Sequence, residues 1–179
     1  IGGVSNLTYW DGETLIGFDT GPGNALMDDF MYNTQNENYD KDGIVASKGT
    51  PIKEELEKFL KFDFFKKQPP KSLDRQAFIH FYINLVNKNY SVNDIMATLA
   101  DFTVETIATS FDFLPKKVQK IIITGGGYRN INLVNRLRDR LKIKIFNEKQ
   151  LGINFDYVEA ELIAYLSARS IYNLPITFP

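Results

Sequence analysis

The spacing of apolar residues changes several times along the chain, and each change predicts an element. Alternating apolar positions in VSNLTYW and TLIGFD predict two strands, joined by a two-residue turn at Asp11-Gly12. After TGPGN, apolar residues recur three and four positions apart between residues 26 and 31, which predicts a helix. The chain therefore begins with a hairpin that leads into a helix.

The rest of the chain alternates between helical and strand-like patterns. Short helices are predicted to open at Thr50-Pro51 and after PPKS, and a longer one at Ser91 with Asp94 as part of its cap. Strands KIIIT and IKIF enclose the helix NLVNRLRDRL, and a last helix is predicted to open at Asp156 with Glu159. This order predicts an α/β fold, a mixed sheet flanked by helices, in one domain.

Composition removes several classes of function. A net charge of −1 over 179 residues gives no general attraction for nucleic acid or an anionic membrane. No apolar run approaches membrane-spanning length, so no membrane is expected as a partner. The absence of cysteine excludes disulfides and thiolate metal sites, and fits a cytoplasmic location. The one histidine, His80, lies in an aromatic-rich segment and is expected to be a packing residue.

A glycine bend follows the strand KIIIT. Gly125, Gly126 and Gly127 lack Cβ atoms, so the backbone can approach a ligand, and Asn130 is a candidate cap for the next helix, whose N-terminus favours anionic groups. A tight turn without a ligand is an equal alternative. The dinucleotide fingerprint is a third, with Glu148 as its acidic residue, although Asn130 stands where that fingerprint needs glycine.

Two further bends lie near the start of the chain. In FDTGPGN, Gly21 and Gly23 can bend around a ligand, and Asp19 and Thr20 can face it, or they can simply close the loop through backbone hydrogen bonds. In IGGVSN, Gly2-Gly3 can present amides to phosphate oxygens, with Asn6 as an added donor; an ordinary hairpin edge is the alternative.

Seven blocks together are more specific than any single bend. In chain order they are IGGVSNLT, FDTGPGNALMDDF, YDKDGIVASKG, PPKSLDRQAF, ATLADFTVETIA, IITGGGYRNINLVNRL and DYVEAELIAYLSAR. The set closely resembles the anhydro-N-acetylmuramic acid kinases, which belong to the actin-like superfamily of sugar kinases and chaperone ATPases. The resemblance extends over essentially the whole chain.

The resemblance implies a fold, a reaction and partners. The family's fold has two actin-like (ribonuclease H-like) lobes around the active site, and residues 1–179 resemble the C-terminal lobe, with the N-terminal lobe absent. The reaction uses ATP and Mg2+ to convert 1,6-anhydro-N-acetylmuramic acid, released from cell-wall peptidoglycan, into N-acetylmuramic acid 6-phosphate. The catalytic base is expected on the missing lobe, so the isolated chain is expected to be inactive. A homodimer is a further expectation; the magnesium ligands are not predicted.

The resemblance also assigns residues. The nucleotide set comprises Gly2, Gly3, Asn6, Asp19, Gly21, Gly23, Gly125, Gly126, Gly127 and Asn130. The sugar-side set comprises Thr20, Asn24 and Glu159, and Glu159 can equally be a capping residue. Asp74 departs from the family's small residue, which weakens any role for Lys71, Ser72 and Arg75. Two other functions remain open, a dinucleotide-binding oxidoreductase fragment and a non-catalytic actin-like assembly module.

Overall fold

A computed structural model describes residues 1–146, 148–152, 154 and 156–177, without the side chains of residues 148 and 149. The chain divides into two compact units, Ile1–Ile145 and Phe146–Pro179. The larger unit contains the hairpin, the central helices and all three glycine bends. Among the described residues, no helix is long and apolar enough to cross a membrane.

The chain opens with an antiparallel hairpin. Strand β1 (Val4–Trp10) pairs with β2 (Leu15–Pro22), with a bulge between Ser5 and Asn6. The predicted two-residue turn is wrong, because four residues separate the strands. The Asp11 carboxylate accepts hydrogen bonds from the backbone N–H groups of Glu13 at 3.1 Å and Thr14 at 2.8 Å, and these bonds hold the longer loop.

Helices make up most of the larger unit. They are α1 (Ala25–Gln35), α2 (Ile44–Ser47), α3 (Lys53–Leu60), α4 (Ile79–Val86), α5 (Val92–Ser110) and α6 (Ile131–Leu141). Strand β3 (Lys120–Ile122) precedes α6, and β4 (Lys144–Phe146) follows it. The smaller unit contains α7 (Glu148–Leu151) and α8 (Val158–Ile171).

Helix α5 is the centre of the core. It is buried along almost its whole length, and its own apolar and small residues lie on all of its faces. Helices α1, α2, α3 and α6 and strand β2 pack against it. Phenylalanine rings fill the space beside it. Phe65 is stacked on Phe78 with 5.5 Å between ring centroids, and Phe102 is edge-on to Phe78 with 5.3 Å between centroids.

The strands form two separate two-stranded sheets, β1-β2 and β3-β4. The α/β class is confirmed, but the single mixed sheet is not seen among the described residues. Strands β3 and β4 contain three residues each and pair with each other, not with the hairpin. The actin-like lobe stays a prediction.

Helix starts were predicted with mixed success. Ser91 caps α5 by accepting the N–H of Asp94 at 3.1 Å, as expected. Helix α3 instead starts at Lys53 without a side-chain cap, because the N–H of Thr50 donates to the Asp94 carboxylate at 2.7 Å. Helix α8 starts at Val158, and Tyr157 rather than Asp156 stands at its N-cap position.

Candidate functional site

The three glycine bends lie side by side. The backbone N–H groups of Gly23 and Asn24 donate to the carbonyls of Gly3 at 2.9 Å and Gly2 at 2.8 Å. The carbonyl of Ile1 accepts the N–H of Gly127 at 2.9 Å, and the backbone nitrogen of Ile1 donates to Thr124 at 2.6 Å. The segment around Gly2-Gly3 thus bridges the other two bends, which are a hundred residues apart in sequence.

Each glycine of the 125–127 bend has its own physical reason. Gly125 has φ of 77°, a left-handed conformation that disfavours other residues. A Cβ on Gly127 would lie 2.5 Å from Cγ2 of Ile1, so this glycine is needed for packing. Gly126 is exposed, and a Cβ there would meet only the Asn24 amide at 3.7 Å. Of these three glycines, Gly126 alone is exposed at a position where the fold itself does not require glycine.

The Gly21–Gly23 bend is buried. A Cβ on Gly21 would lie 2.6 Å from Oγ1 of Thr106, and a Cβ on Gly23 would overlap the carbonyl of Gly2. The Thr103 hydroxyl, on α5 below the bend, donates to the carbonyl of Gly23 at 2.8 Å. These glycines are explained by close packing, and the structure does not bring them to an open surface.

A cleft with a volume of about 360 Å3 opens beside the exposed bend. It is lined by three segments: the first turn of α1 (residues 24–28), the loop 39–42 and the turn 126–130. Cavities that hold small molecules have similar volumes. Gly126, Asn130 and Asn24 were predicted as site residues and line the cleft, whereas Asp28 and Arg129 line it without having been predicted.

Asn130 has the structural role that the sequence predicted. Its side-chain oxygen accepts the N–H of Leu133 at 2.9 Å and so caps α6. Asn24 differs, because it stands at the N-cap of α1 without a side-chain cap bond. Its amide side chain therefore remains in the cleft, beside Gly126.

Asp19 and Thr20 are engaged inside the protein. The Asp19 carboxylate accepts the N–H of Leu73 at 2.7 Å, and the backbone N–H of Asp19 donates to the carbonyl of Lys71 at 3.0 Å. Asp19 therefore holds residues 71–73 against β2. Thr20 is buried and its hydroxyl lies 2.5 Å from Oγ of Ser5. The loop-closing alternative describes both positions in this structure. Asn6 is exposed on β1 and does not line the cleft.

The YDKDG loop forms one wall of the cleft. Asp40 orders this loop, because its buried carboxylate accepts the N–H groups of Val45 and Ala46, each at 2.9 Å. Gly43 has φ of 73° and packs against Asn130. The aspartate therefore holds α2 and fixes the loop against the 126–130 turn.

Asp28 lines the cleft and has a raised pKa. Its pKa is raised to about 6, mainly by partial burial and further by the charge of Asp29, while Arg75 partly offsets both effects. Asp29 itself pairs with Arg75 at 2.6 Å. Sequence could have pointed to Asp28 through its spacing, since it follows Asn24 by four residues and therefore lies on the same helix face.

Two predicted residues belong to the smaller unit. Glu159 is exposed in the first turn of α8. Glu148 begins α7, and its side chain lies outside the described residues. Among the described residues, no group of three or more His, Cys, Asp or Glu side chains can hold a metal ion.

Comparison with known proteins gives one consistent result. The sequence profile of the family described as Anhydro-N-acetylmuramic acid kinase matches residues 1–179. Proteins named anhydro-N-acetylmuramic acid kinase share 43% identity over 100% of this chain in Rhodopseudomonas palustris and 39% in Zymomonas mobilis. The chain spans 48% of the length of each of these relatives.

Proposed function

Since the chain belongs to the anhydro-N-acetylmuramic acid kinase family, we propose that the whole protein phosphorylates 1,6-anhydro-N-acetylmuramic acid with ATP. Within that protein this chain contributes the ATP site, as the C-terminal lobe of an actin-like kinase. The observation that carries the assignment is that the three glycine bends are bonded to one another, and that the exposed bend places Gly126 in the wall of a cleft. Exposed backbone at Gly2, Gly3, Gly125 and Gly126 supplies the approach that a polyphosphate chain requires.

The cleft fits a nucleoside in size and in composition. Its volume of about 360 Å3 suits a small ligand, and the Asn24 and Asn130 side chains supply amide groups to it. Arg129 lies at its edge with a guanidinium that can stack on an aromatic base. The nucleoside therefore lies against the 126–130 turn, with the phosphates directed toward Gly2-Gly3.

The reaction consumes water as well as ATP. Water adds across the anhydro bridge: its oxygen joins the anomeric carbon, the bond from that carbon to O6 breaks, and a proton reaches O6. The O6 hydroxyl then attacks the γ-phosphorus of ATP, which releases ADP and the hydroxyl proton. A general base must take a proton from that water. We place the base on the other lobe, and Glu159 on the sugar, so this chain positions the phosphoryl donor and part of the acceptor.

Magnesium would arrive with the nucleotide. Mg2+ in kinase sites is held by phosphates, water molecules and one or two carboxylates, not by a full protein cage. When bound, the ion neutralises charge on the transferring phosphoryl group.

Calorimetry on the 179-residue chain tests the proposal. Titration with ATP and ADP should give saturable binding, while NADH titration followed by fluorescence should give none. Binding of NADH in place of ATP would favour the dinucleotide alternative. Addition of the anhydro sugar with ATP should give no turnover, and measurable turnover would place the base within this chain, with Asp19 as the first residue to test.

Sedimentation with and without ATP and sugar addresses the assembly alternative. The homodimer and the cytoplasmic location belong to the proposal, as does the role in peptidoglycan recycling. A chain that assembles without binding either ligand would support a non-catalytic module.

A further inference from the structure

Asp28 is a carboxylate that the fold itself does not use. It is half-buried on the wall of the cleft, and no described residue forms a hydrogen bond or ion pair with its side chain. Its neighbour Asp29 behaves differently, since it pairs with Arg75 at 2.6 Å outside the cleft. The two adjacent aspartates therefore separate into one with a structural partner and one directed to a ligand space.

Keeping Asp28 in this position is unfavourable for the fold. Burial disfavours its charged form, and the adjacent Asp29 adds repulsion. Perturbed carboxylates in clefts are characteristic of functional sites. Hydrogen-bond donors from a ligand would offset this cost of burying the charged Asp28 carboxylate.

The position of Asp28 along the cleft defines what part of a nucleotide it meets. Asn24, the N-cap of α1, and Asp28 are four residues apart and lie on the same face, about 6 Å apart along the helix axis. The Asn24 amide lies 3.7 Å from the point where a Cβ on Gly126 would be. The negative carboxylate of Asp28 repels phosphates. The part of ATP that lies beside Asp28, one helical turn beyond Gly126, is therefore an uncharged part.

We propose that Asp28 accepts hydrogen bonds from the ribose 2′- and 3′-hydroxyls of ATP and makes this site selective for ribonucleotides. The inference rests on the proposed function. A carboxylate has two acceptor oxygens and a vicinal diol has two O–H donors, so the groups match in number and in polarity. Dinucleotide-binding folds use the same chemistry, an acidic side chain on a ribose hydroxyl. Asp28 is thus a residue that sets specificity for the sugar of the nucleotide.

Calorimetry with ATP, 2′-deoxy-ATP and inosine triphosphate on the 179-residue chain tests this role. A hydrogen bond to a charged group corresponds to about a tenfold or larger change in affinity, so the unmodified chain should bind ATP at least about tenfold more tightly than 2′-deoxy-ATP. Asp28→Asn should bring the affinity for ATP down to that for 2′-deoxy-ATP. Asp29→Asn is the matched control and should keep the full preference.

Each outcome separates the inference from the proposed function. If the unmodified chain binds no nucleotide, the proposed function fails and takes the inference with it. If the chain binds ATP and 2′-deoxy-ATP equally, the ATP site stands and the role of Asp28 is overturned, without any variant. If Asp28→Asn removes discrimination between ATP and inosine triphosphate instead, Asp28 contacts the base amino group and the ribose assignment is wrong. Thermal unfolding of both variants confirms that they fold.

Discussion

The bends at Gly21–Gly23 and Gly125–Gly127 have the same sequence pattern, a strand followed by glycines and a helix, yet they use glycine differently. The first is buried, and Thr106 of α5 and the backbone of Gly2 occupy the space where side chains would otherwise lie. The second exposes Gly126 beside the cleft. A glycine motif therefore indicates close approach, and only burial tells whether the approaching group is protein or ligand.

The sharpest test of the buried bend is Gly23→Ala. The new methyl group would overlap the carbonyl of Gly2, and backbone on both sides cannot move without breaking the bonds between the bends. Overpacking of this kind costs about 1–3 kcal/mol or more, which is at least ~2–4 °C in Tm for a chain of this size. Thermal unfolding measures it, and an unchanged Tm would show that the bends are not tightly packed.

Removal of the Thr103 hydroxyl, which supports the Gly21–Gly23 bend from α5, should cause the next largest loss of stability. Thr103→Val keeps the side-chain shape but removes the hydroxyl that donates to Gly23 at 2.8 Å and to Pro22 at 3.1 Å. Leaving a buried carbonyl without its partner costs about 1–3 kcal/mol. Thr109→Val is the matched control on the same helix, because its hydroxyl donates to the helical carbonyl of Glu105. Equal losses for both variants would contradict the account.

On the cleft side, Asp28→Asn should stabilise the protein in a pH-dependent way. The pKa of Asp28 is about 6, above its ordinary value of 3.8, so its favourable contribution is present at pH below 3.8 and is lost as pH rises through 6. The groups around it are Asp29, Arg75 and the cleft residues Lys41, Asp42 and Arg129.

The variant should therefore gain up to about 1 kcal/mol near neutral pH, a value reduced for partial exposure, and nothing in acid. Unfolding curves at acid and neutral pH measure the difference. Destabilisation by Asp28→Asn near neutral pH would show that the carboxylate has a structural partner.

Gly126→Ala should have the smallest effect on stability. Its Cβ would make ordinary contact with the Asn24 amide at 3.7 Å, so the free energy of unfolding should change by no more than about 0.5 kcal/mol. The methyl group would nevertheless occupy the approach to the cleft, and ATP affinity should fall about tenfold. Calorimetry beside thermal unfolding separates the effects; intact affinity would remove Gly126 from the site.

Local patterns predicted the elements well and their connections less well. The apolar spacing between residues 26 and 31 correctly predicted α1, and the Asn130 cap was correct because both signals lie within one turn of helix. Thr50 was misassigned as a cap because its N–H bonds to Asp94, a partner far along the chain.

The site was predictable to the extent that glycine spacing reports close approach. The family resemblance, confirmed over residues 1–179, grouped the bends correctly, and the structure brings them together. Burial of Gly21, Gly23 and Thr20 could not be predicted, since it depends on threonines of α5 about eighty residues away. The spacing of Asp28 from Asn24 places both residues on one helix face, but the sequence does not show that Asp28 lacks a partner among the described residues, so it was missed.

The central claim is that the exposed bend binds nucleotide while the buried bend supports it. Amide chemical shifts of the 15N-labelled 179-residue chain, followed during titration with ADP, test it most directly because each glycine reports its own position. We predict saturable shifts at Gly126 and at Gly2 and Gly3, with much smaller shifts at Gly21 and Gly23. Shifts confined to the buried bend, or no shift at Gly126 at saturating ADP, would contradict the account.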